Sequence, residues 1–345
     1  MRSNYWDRWK GITILAVLTG HSMLYTQTFP PESFNWYFGL VFRQFIDFAI
    51  PMFLALAGYF SSYSRGSSVS NYWHRRTIRI LPPYLFWTAI FILLQRPSTF
   101  LSPIAIAVDV LIGRGIGIGY FVIVLLQFIV ITPLIANIRK SWQHIALMTL
   151  MTIVSLVLTY VTRIQYADSI FARFPFHSLP FFMWYPFYHL GVYMAQKKSD
   201  DDFILSKHTP IIFAMFLLFI GASIVEGVLF AYQGFWSFGI SRSKATNFLA
   251  SIALFLFAVG LHRKDHQVKD SFLSWIGIYT YPIYLMHKLF VPFSTSILKH
   301  FNFIYNMQPV FILLNVFIVT AACSIVILIV KIITPAWFQR KCIGI

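Results

Sequence analysis

The sequence contains few charged residues and almost no cysteine. Charged residues make up 11% of its 345 residues, against about 25% in soluble domains. Hydrophobic residues make up 58%, and the mean hydropathy is +0.69. This composition excludes a soluble globular domain and predicts a polytopic membrane protein. The two cysteines, Cys323 and Cys342, provide no disulfide framework.

Several signatures of common functions are also missing. The sequence has no nucleophile elbow, no Walker loop and no dinucleotide fingerprint. Its histidines lie on separate segments without metal-ligand spacing, so we predict no metal site. The net charge of +16 does not indicate nucleic-acid binding, because most cations lie in short connections between hydrophobic segments. There they indicate topology and contacts with membrane lipids or phosphate.

Hydrophobic segments recur along the whole chain. Segment 101–113 is too short to cross a core of about 30 Å comfortably, and it cannot cross if every cation cluster faces the cytoplasm. We therefore predict an all-α polytopic membrane protein with about ten transmembrane helices and both termini cytoplasmic. Residues 95–118 would form a short re-entrant or half-buried helix, and 1–345 a single integral-membrane domain. If 101–113 does cross, the orientation of all later segments inverts.

The segments lie at 11–27, 37–62, 80–95, 101–113, 119–137, 144–161, 180–196, 209–231, 245–261, 274–295 and 309–333. The cation clusters are Arg8/Lys10, Arg65–Arg79, Arg139/Lys140, Lys197/Lys198, Arg263/Lys264 and Lys331–Lys341. The remaining cations are scattered and would lie outside, so the positive-inside pattern here is a bias rather than a strict rule.

A lysine and a histidine are aligned on the first hydrophobic helix. Lys10 and His21 are eleven positions apart, which on an α-helix is about three turns, or ~16 Å, along one face. A cation at the membrane rim is thus aligned with an imidazole inside the apolar layer. Imidazole suits proton transfer and acyl chemistry, and ionisable groups within membrane spans are functional candidates by default. The alternative is a snorkelling lysine with a hydrogen-bonded structural histidine.

Three arginines precede a Pro-Pro pair at the third hydrophobic segment. Arg75 and Arg79 are four positions apart and share a helix face, with Arg76 beside them. Guanidinium groups bind phosphate bidentately, and a helix that opens at Pro82-Pro83 would add an N-terminus that favours anions. The pattern predicts a phosphate cradle at the cytoplasmic face. Its alternative is an ordinary positively charged loop.

A polar stripe marks one face of a later helix. Tyr281, Tyr284 and His287 follow one another at intervals of three residues, which places them on one helix face. The alternative is a packed aromatic helix that carries a histidine with satisfied hydrogen bonds.

Isolated polar groups occur in other segments. Asp47 is followed by a proline, which predicts a kink and a partner for the carboxylate. That carboxylate either orients a histidine or, as we favour, pairs with Arg43 one turn earlier. Glu226 is similarly ambiguous, and we interpret His177 and His189 as interfacial or structural.

Five motifs follow one another along nearly the whole chain. They are Lys10-Gly11-Ile12…Gly20-His21, Pro51-Met52-Phe53…Ala57-Gly58-Tyr59, Arg75-Arg76…Arg79-Ile80-Leu81-Pro82-Pro83-Tyr84, Tyr120-Phe121 through Thr132-Pro133-Leu134, and Tyr281-Pro282-Ile283-Tyr284-Leu285-Met286-His287. This ordered set resembles membrane acyltransferases of the acyltransferase 3 family, and looks closest to the branch with fucose 4-O-acetylase and other polysaccharide O-acetyltransferases. Lys10 stands where the family usually has arginine, and Ala57 where serine is common.

The resemblance implies a reaction. It implies transfer of an acyl group, commonly acetyl, from cytoplasmic acyl-CoA to a hydroxyl of a cell-surface or lipid-linked glycan, in a bacterial plasma (inner) membrane. His21 would act as general base or transient acyl carrier, with Asp47 and His287 as further catalytic candidates. The residues expected to bind the donor, acetyl-CoA or another acyl-CoA, are Lys10, Arg75, Arg76, Arg79 and Tyr84.

Two other function classes stay open. A transporter or flippase for a free or lipid-linked glycan would line its path with cationic and aromatic residues. It would show paired broken helices and would move its substrate without consuming an acyl donor. A structural membrane subunit does not explain the ordered motifs. The sequence does not indicate an oligomeric state, which stays open.

Overall fold

The computed structural model describes residues 4–61, 63, 66–197, 205–264 and 271–345, and all regular secondary structure within them is helical. Two cations used for the topology, Arg65 and Lys198, lie outside these residues. The longer helices are α1 (Asn4–Ser22), α2 (Phe34–Ile46), α3 (Ala49–Tyr59), α4 (Val69–Gln95), α5 (Pro103–Leu111), α6 (Tyr120–Ala136), α7 (Ser141–Tyr160), α8 (Tyr185–Gln196), α9 (Thr209–Tyr232), α10 (Ala245–Lys264), α11 (Phe272–Ile278), α12 (Thr280–Lys299) and α13 (Gln308–Ile333).

Six stretches of the described chain are long and apolar enough to cross a membrane, so the protein is an integral membrane protein. They are Phe34–Tyr59, Val69–Gln95, Ser141–Gln165, Thr209–Tyr232, Ala245–His262 and Gln308–Ile333. The predicted count of about ten is not confirmed. Two of the remaining segments form short helices, since α6 has 17 residues and α8 has 12. Most residues of α8 are buried against other helices, so this helix does not need a long lipid-facing surface.

The predicted kink near Asp47 is confirmed, because α2 ends at Ile46 and α3 begins at Ala49. The prediction that the next hydrophobic helix opens at Pro82-Pro83 is wrong. Helix α4 begins at Val69, where the Ser68 hydroxyl accepts a hydrogen bond from a backbone N–H of the first turn, and both prolines lie inside it. The apolar run marks only the part of α4 suited to the membrane, and a polar stretch extends the same helix by about three turns.

Helix α5 is a short element at the position predicted for one. It has nine residues, or about 14 Å of helix, which is too short to cross a membrane. Its Asp109 carboxylate is fully buried and lies 2.7 Å from an Arg96 nitrogen and 2.6 Å from Arg114 Nε. These two ion pairs tie α5 to the residues on either side of it.

Helix α1 lies in contact with α11, α12, α13 and α3. Helices α1 and α11 approach closely at two glycines, Gly11 on α1 and Gly277 on α11, and each faces the backbone of the other helix. A Cβ at Gly11 would lie 2.1 Å from the Leu273 carbonyl oxygen, and one at Gly277 would lie 1.7 Å from that of Asp7. Small residues allow helices to approach this closely in a membrane. The contact fixes the helix that carries Lys10 and His21.

Candidate active site: a histidine pair in an arginine-lined cavity

A cavity of about 210 Å³ lies at the carboxyl-terminal end of α1. It is bounded by α1, α2, the start of α3, the loop before α6, the loop before α10 and α12. The polar side chains that line it are His21, Arg43, Asp47, Tyr120, Arg242 and Tyr284. The site therefore combines an imidazole, two guanidinium groups, one carboxylate and two phenols.

The sequence-predicted histidines meet beside this cavity. The rings of His21 and His287 have their centroids 5.2 Å apart. His287 Nδ1 lies 2.8 Å from the Tyr284 carbonyl oxygen and 3.2 Å from that of Ile283, so Nδ1 carries the proton, because carbonyl oxygens only accept. His287 Nε2 is buried and has no hydrogen-bond partner in the part of the chain that the structure describes. It is an available acceptor next to His21.

Asp47 pairs with Arg43, as the sequence favoured. Arg43 Nε donates to Asp47 Oδ1 at 2.7 Å, and Arg43 Nη1 donates to the carbonyl oxygen of Gly20 at 3.0 Å. A side-chain amide also contacts this carboxylate, since Asn247 Nδ2 donates to Asp47 Oδ2 at 3.3 Å. Asp47 therefore holds Arg43 beside His21, and no hydrogen bond joins it to an imidazole among the described residues.

A second cavity, of about 320 Å³, lies nearer the amino-terminal end of α1 and is mostly apolar. Lys10 lines it, with its Nζ 3.1 Å from Asp7 Oδ1 and 5.1 Å from the centre of the Phe60 ring. Tyr284 lines both cavities. Lys10 and His21 thus line two cavities that have Tyr284 in common, in keeping with their predicted alignment on one face of α1.

A third cavity is open, basic and about 650 Å³ in volume. Arg79 lines it together with Arg340, Lys341 and Trp337, which follow α13. The segment after α13 also lies close to the second cavity, because a Cβ at Gly344 would come within 2.9 Å of a ring carbon of Tyr281, and Tyr281 lines that cavity.

The other residues expected to bind a donor lie elsewhere. The Arg76 guanidinium donates to the carbonyl oxygens of Phe60 and Ser61 at the end of α3. Arg75 is exposed and donates to Asn71 O. Tyr84 is fully buried and its hydroxyl donates to Val110 O. The predicted phosphate cradle is therefore divided: of Arg75, Arg76, Arg79 and Tyr84, Arg79 is the one that lines one of the three cavities described above.

Sequence reasoning gave no site role to Arg242 or Lys244, which lie in the loop before α10. Lys244 is fully buried, and its Nζ donates to Gln44 Oε1 at 2.8 Å and to Ser223 O at 2.9 Å. Arg242 lines the His21 cavity. The sequence feature that could have pointed to them is the occurrence of two cations within three residues, next to an apolar helix. The two partners of Lys244 are 21 and 200 positions away in the chain, so no local pattern reveals them.

The remaining polar candidates lie away from the His21 cavity. Glu226 accepts hydrogen bonds from the hydroxyls of Tyr160 and Thr246. His189 Nε2 lies 2.7 Å from His144 Nδ1 in a buried contact. His177 lines a separate apolar cavity of about 610 Å³. These placements fit structural or interfacial roles.

The fold and the site define a helical membrane protein with a histidine–arginine cavity among its helices. Residues 3–329 match the acyltransferase domain of the acyltransferase 3 family. The chain therefore belongs to that family. The resemblance inferred from the five motifs is confirmed.

Two relatives align with the chain at low identity. Nodulation protein NolL of Sinorhizobium fredii is 23% identical over 213 residues, which are 59% of this chain and 51% of that protein. A probable poly-β-1,6-N-acetyl-D-glucosamine export protein of Staphylococcus aureus is 20% identical over 291 residues, 81% of this chain and 79% of that protein. The chain spans about half the length of the first relative. No solved structure is significantly similar to it.

Proposed function

We propose that this protein transfers an acyl group, with acetyl as the first to test, from acyl-CoA to a hydroxyl of a cell-surface or lipid-linked glycan. The observation that carries the proposal is the pair of cavities that share Tyr284 in their walls, one lined by Lys10 and the other by His21. Two substrates that approach from opposite ends of α1 would meet beside the imidazole. A long, flexible donor suits the ~16 Å between rim and interior.

The basic cavity supports a revised site for the donor phosphates. Arg79, Arg340 and Lys341 place three cations around one open space, and guanidinium groups bind phosphate bidentately. The exposed indole of Trp337 offers a face on which an adenine base can stack. From there the pantetheine arm would pass Tyr281 into the apolar cavity beside Lys10.

The proposed chemistry balances with one proton, which His21 accepts and then returns. The glycan hydroxyl oxygen attacks the thioester carbonyl, and a C–O bond forms while the C–S bond breaks. His21 takes the hydroxyl proton and returns it to the departing thiolate of CoA. His287, with its unprotonated Nε2 nearby, would accept a hydrogen bond from His21 or from the attacking group. A transient acyl-imidazole on His21 is the alternative within the same site.

Arg43 fits the negative charge that develops in this reaction. Its guanidinium is held by Asp47 and by the Gly20 carbonyl oxygen and lines the same cavity as His21. A positioned cation can stabilise the oxygen of the tetrahedral intermediate, and removing one such donor costs about 10²–10³-fold in turnover.

The orientation in the membrane belongs to the same proposal. Donor CoA is cytoplasmic, so the end of α1 with Lys10 would face the cytoplasm and the His21 cavity would open toward the other side, in a bacterial inner membrane. Both termini would then be cytoplasmic, with about ten crossings in all.

Transfer of labelled acetyl from acetyl-CoA to glycan, by the protein in bacterial membranes, tests this function. We expect His21→Ala to abolish transfer while the protein inserts normally. His300→Ala, at the exposed end of α12, should keep it. Normal acetylation by the His21 variant would reject the catalytic assignment.

The donor site needs its own pair of variants. Arg79→Gln and Arg340→Gln should raise the KM for acetyl-CoA and change turnover at saturation little. Arg139→Gln, an exposed cation between α6 and α7, should leave KM unchanged. An unaltered KM in the first two variants would reject the basic cavity as donor site.

A second candidate, glycan transport, is favoured by one observation: the Staphylococcus aureus relative is named as a probable export protein. Movement of labelled glycan into vesicles without acetyl-CoA would support transport, and label transfer without movement would support the acyltransferase alone.

A further inference from the structure

The His21 cavity contains more positive charge than its own residues neutralise. Asp47 is the one acidic residue among the described side chains that line it, and it is engaged by Arg43. Arg242 lines the same space, and its guanidinium has no hydrogen bond or ion pair with any residue that the structure describes. Arg242 is partly buried, and its guanidinium has five N–H donors. A guanidinium in this setting is a candidate group for binding an anion.

The loop that carries Arg242 is held in place by its neighbours. Lys244 is fully buried and donates to Gln44 and to the Ser223 carbonyl oxygen. Asn247 Nδ2 donates to the Ser241 carbonyl oxygen at 3.1 Å. Arg242 lies between these two anchors, so its backbone position is fixed before any ligand arrives, which lowers the entropic cost of binding.

The surroundings of Arg242 are electropositive. Burial lowers the pKa of His177, and the positive charges of Arg163 and Arg242 lower it further. Arg163 and Arg242 are therefore both close enough to His177 to act on its charge, and two cations in one region favour an anion.

The position of Arg242 distinguishes acceptor from donor. Lys10 lines the second cavity, which shares Tyr284 with the His21 cavity, whereas Arg242 lines only the His21 cavity of the two. If acyl-CoA enters past Lys10, as the proposed function requires, the ligand that reaches Arg242 is the acceptor. The cavity holds about 210 Å³, below the ~300–1,000 Å³ of pockets that enclose a drug-sized ligand. It suits a single sugar residue.

We propose that Arg242 binds a carboxylate or phosphate on the acceptor sugar, next to the hydroxyl that is acylated, so that the enzyme acts on an acidic glycan residue. This inference rests on the proposed function, because that function sets the direction from which each substrate enters. A bidentate guanidinium–anion contact fixes both the position and the rotation of the sugar ring, which would bring one hydroxyl to His21.

Binding and transfer are measured separately, with the full chain in nanodiscs of phosphatidylcholine. The probes are methyl β-D-glucuronide and methyl β-D-glucoside, which differ in one carboxylate. Binding is read as the shift in thermal unfolding with added sugar, and transfer as labelled acetyl moved from acetyl-CoA to each sugar. We expect the wild type to prefer the glucuronide by about tenfold or more in both readouts, the range of a charge-assisted hydrogen bond.

Three variants complete the test. Arg242→Gln should erase the preference, Arg242→Lys should keep part of it, and Arg173→Gln, an exposed cation that lines neither cavity, should keep all of it. Equal or absent binding of the two sugars by the wild type overturns the proposal, as does a preference that survives in Arg242→Gln. Failure of the proposed function is a different result: transfer that persists in His21→Ala, whatever the sugar preference in binding.

Discussion

The rings of His21 and His287 face each other at a centroid distance of 5.2 Å with 39° between their planes, one at the end of α1 and the other on α12. The two residues are 266 positions apart in the sequence. Because the backbone carbonyl oxygens of Ile283 and Tyr284 fix the proton on His287 Nδ1, its Nε2 is left as an acceptor. The pair thus offers one imidazole to the substrate and a second basic nitrogen behind or beside it.

Replacing His287 by glutamine should slow the reaction more than it weakens substrate binding. Glutamine can still form hydrogen bonds, but its amide oxygen is a much weaker acceptor than an imidazole nitrogen. We expect turnover to fall by about 10–10²-fold, the contribution of one hydrogen bond to a group that becomes charged in the reaction, with the KM for acetyl-CoA nearly unchanged. Steady-state kinetics in nanodiscs measures both quantities.

His300→Gln is the matched control for His287, because His300 lies just beyond the end of α12, is exposed, and has its imidazole Nδ1 2.7 Å from the Ser296 carbonyl oxygen. It should retain wild-type turnover. If His287→Gln also retained wild-type turnover, His287 would be a packing residue and His21 would act without it.

Arg43 and Asp47 should behave as one unit in a double-mutant cycle. Arg43 is held by Asp47 at 2.7 Å, and their side chains are 16% and 1% exposed. Removing one member of a largely buried pair leaves the other charge unmatched, which costs about 3–5 kcal/mol when burial is complete. We expect Arg43→Gln and Asp47→Asn each to lower activity and thermal stability, and the double variant to be no worse than the more damaging single one.

The cycle measures the interaction directly, because residues in contact show coupling of about 0.5–3 kcal/mol whereas independent sites add. Additive effects on turnover would mean that Asp47 acts on the reaction in its own right, as the sequence-based catalytic assignment requires. The cycle therefore distinguishes a positioning role of Asp47, which its contacts suggest, from the catalytic role that the sequence predicts.

Asp109→Asn should loosen the segment that closes one side of the His21 cavity. Gly117 and Ile118 line the cavity and follow the pair of arginines that contact Asp109. The side chains of Arg96 and Arg114 are 38% and 51% exposed, so solvent screens part of their attraction to Asp109. The expected loss of folding stability is about 1–2 kcal/mol. Hydrogen exchange over residues 96–118 should speed up in this variant.

Asp168→Asn provides the comparison for Asp109, since Asp168 is exposed and has no ion pair with any described residue. Exchange across residues 96–118 should then match the wild type. Identical exchange in Asp109→Asn would show that the two ion pairs do not hold this segment.

The sequence predicted those parts of the site whose residues lie on one helix. The alignment of Lys10 with His21 follows from 3.6 residues per turn, and the Arg43–Asp47 pair from a spacing of four. The meeting of His21 with His287 followed from no pattern in the residues themselves, because it depends on how α1 and α12 pack. Only the resemblance to a family placed both histidines in one site.

Composition misplaced two features for physical reasons. A hydrophobic run marks where a helix lies in the apolar layer, not where it begins, and so the start of α4 was assigned to Pro82 rather than to Val69. Cations that bind backbone carbonyls, such as Arg76, look the same in a sequence as cations that face a cavity, such as Arg79. Distinguishing them requires the end of α3 and the segment after α13, both remote in the chain.

The close approach of α1 and α11 gives a prediction that needs no substrate. A Cβ at Gly11 would lie 2.1 Å from a backbone oxygen of α11, and backbone cannot move aside as a flexible side chain can. Gly11→Ala should therefore push the two helices apart at a cost of about 1–3 kcal/mol. Gly221→Ala in α9 places the same methyl group where nothing lies within 4 Å, and should be neutral or stabilising by up to ~1 kcal/mol.

Thermal unfolding in detergent compares these two alanine variants directly. Because α1 carries both Lys10 and His21, a shift of this helix should also lower acetyl transfer in Gly11→Ala, while Gly221→Ala retains it. Equal unfolding temperatures for the two variants would mean that α1 and α11 do not touch through their backbones. The position of His21 relative to α12 would then depend on the other contacts of α1, with α12, α13 and α3.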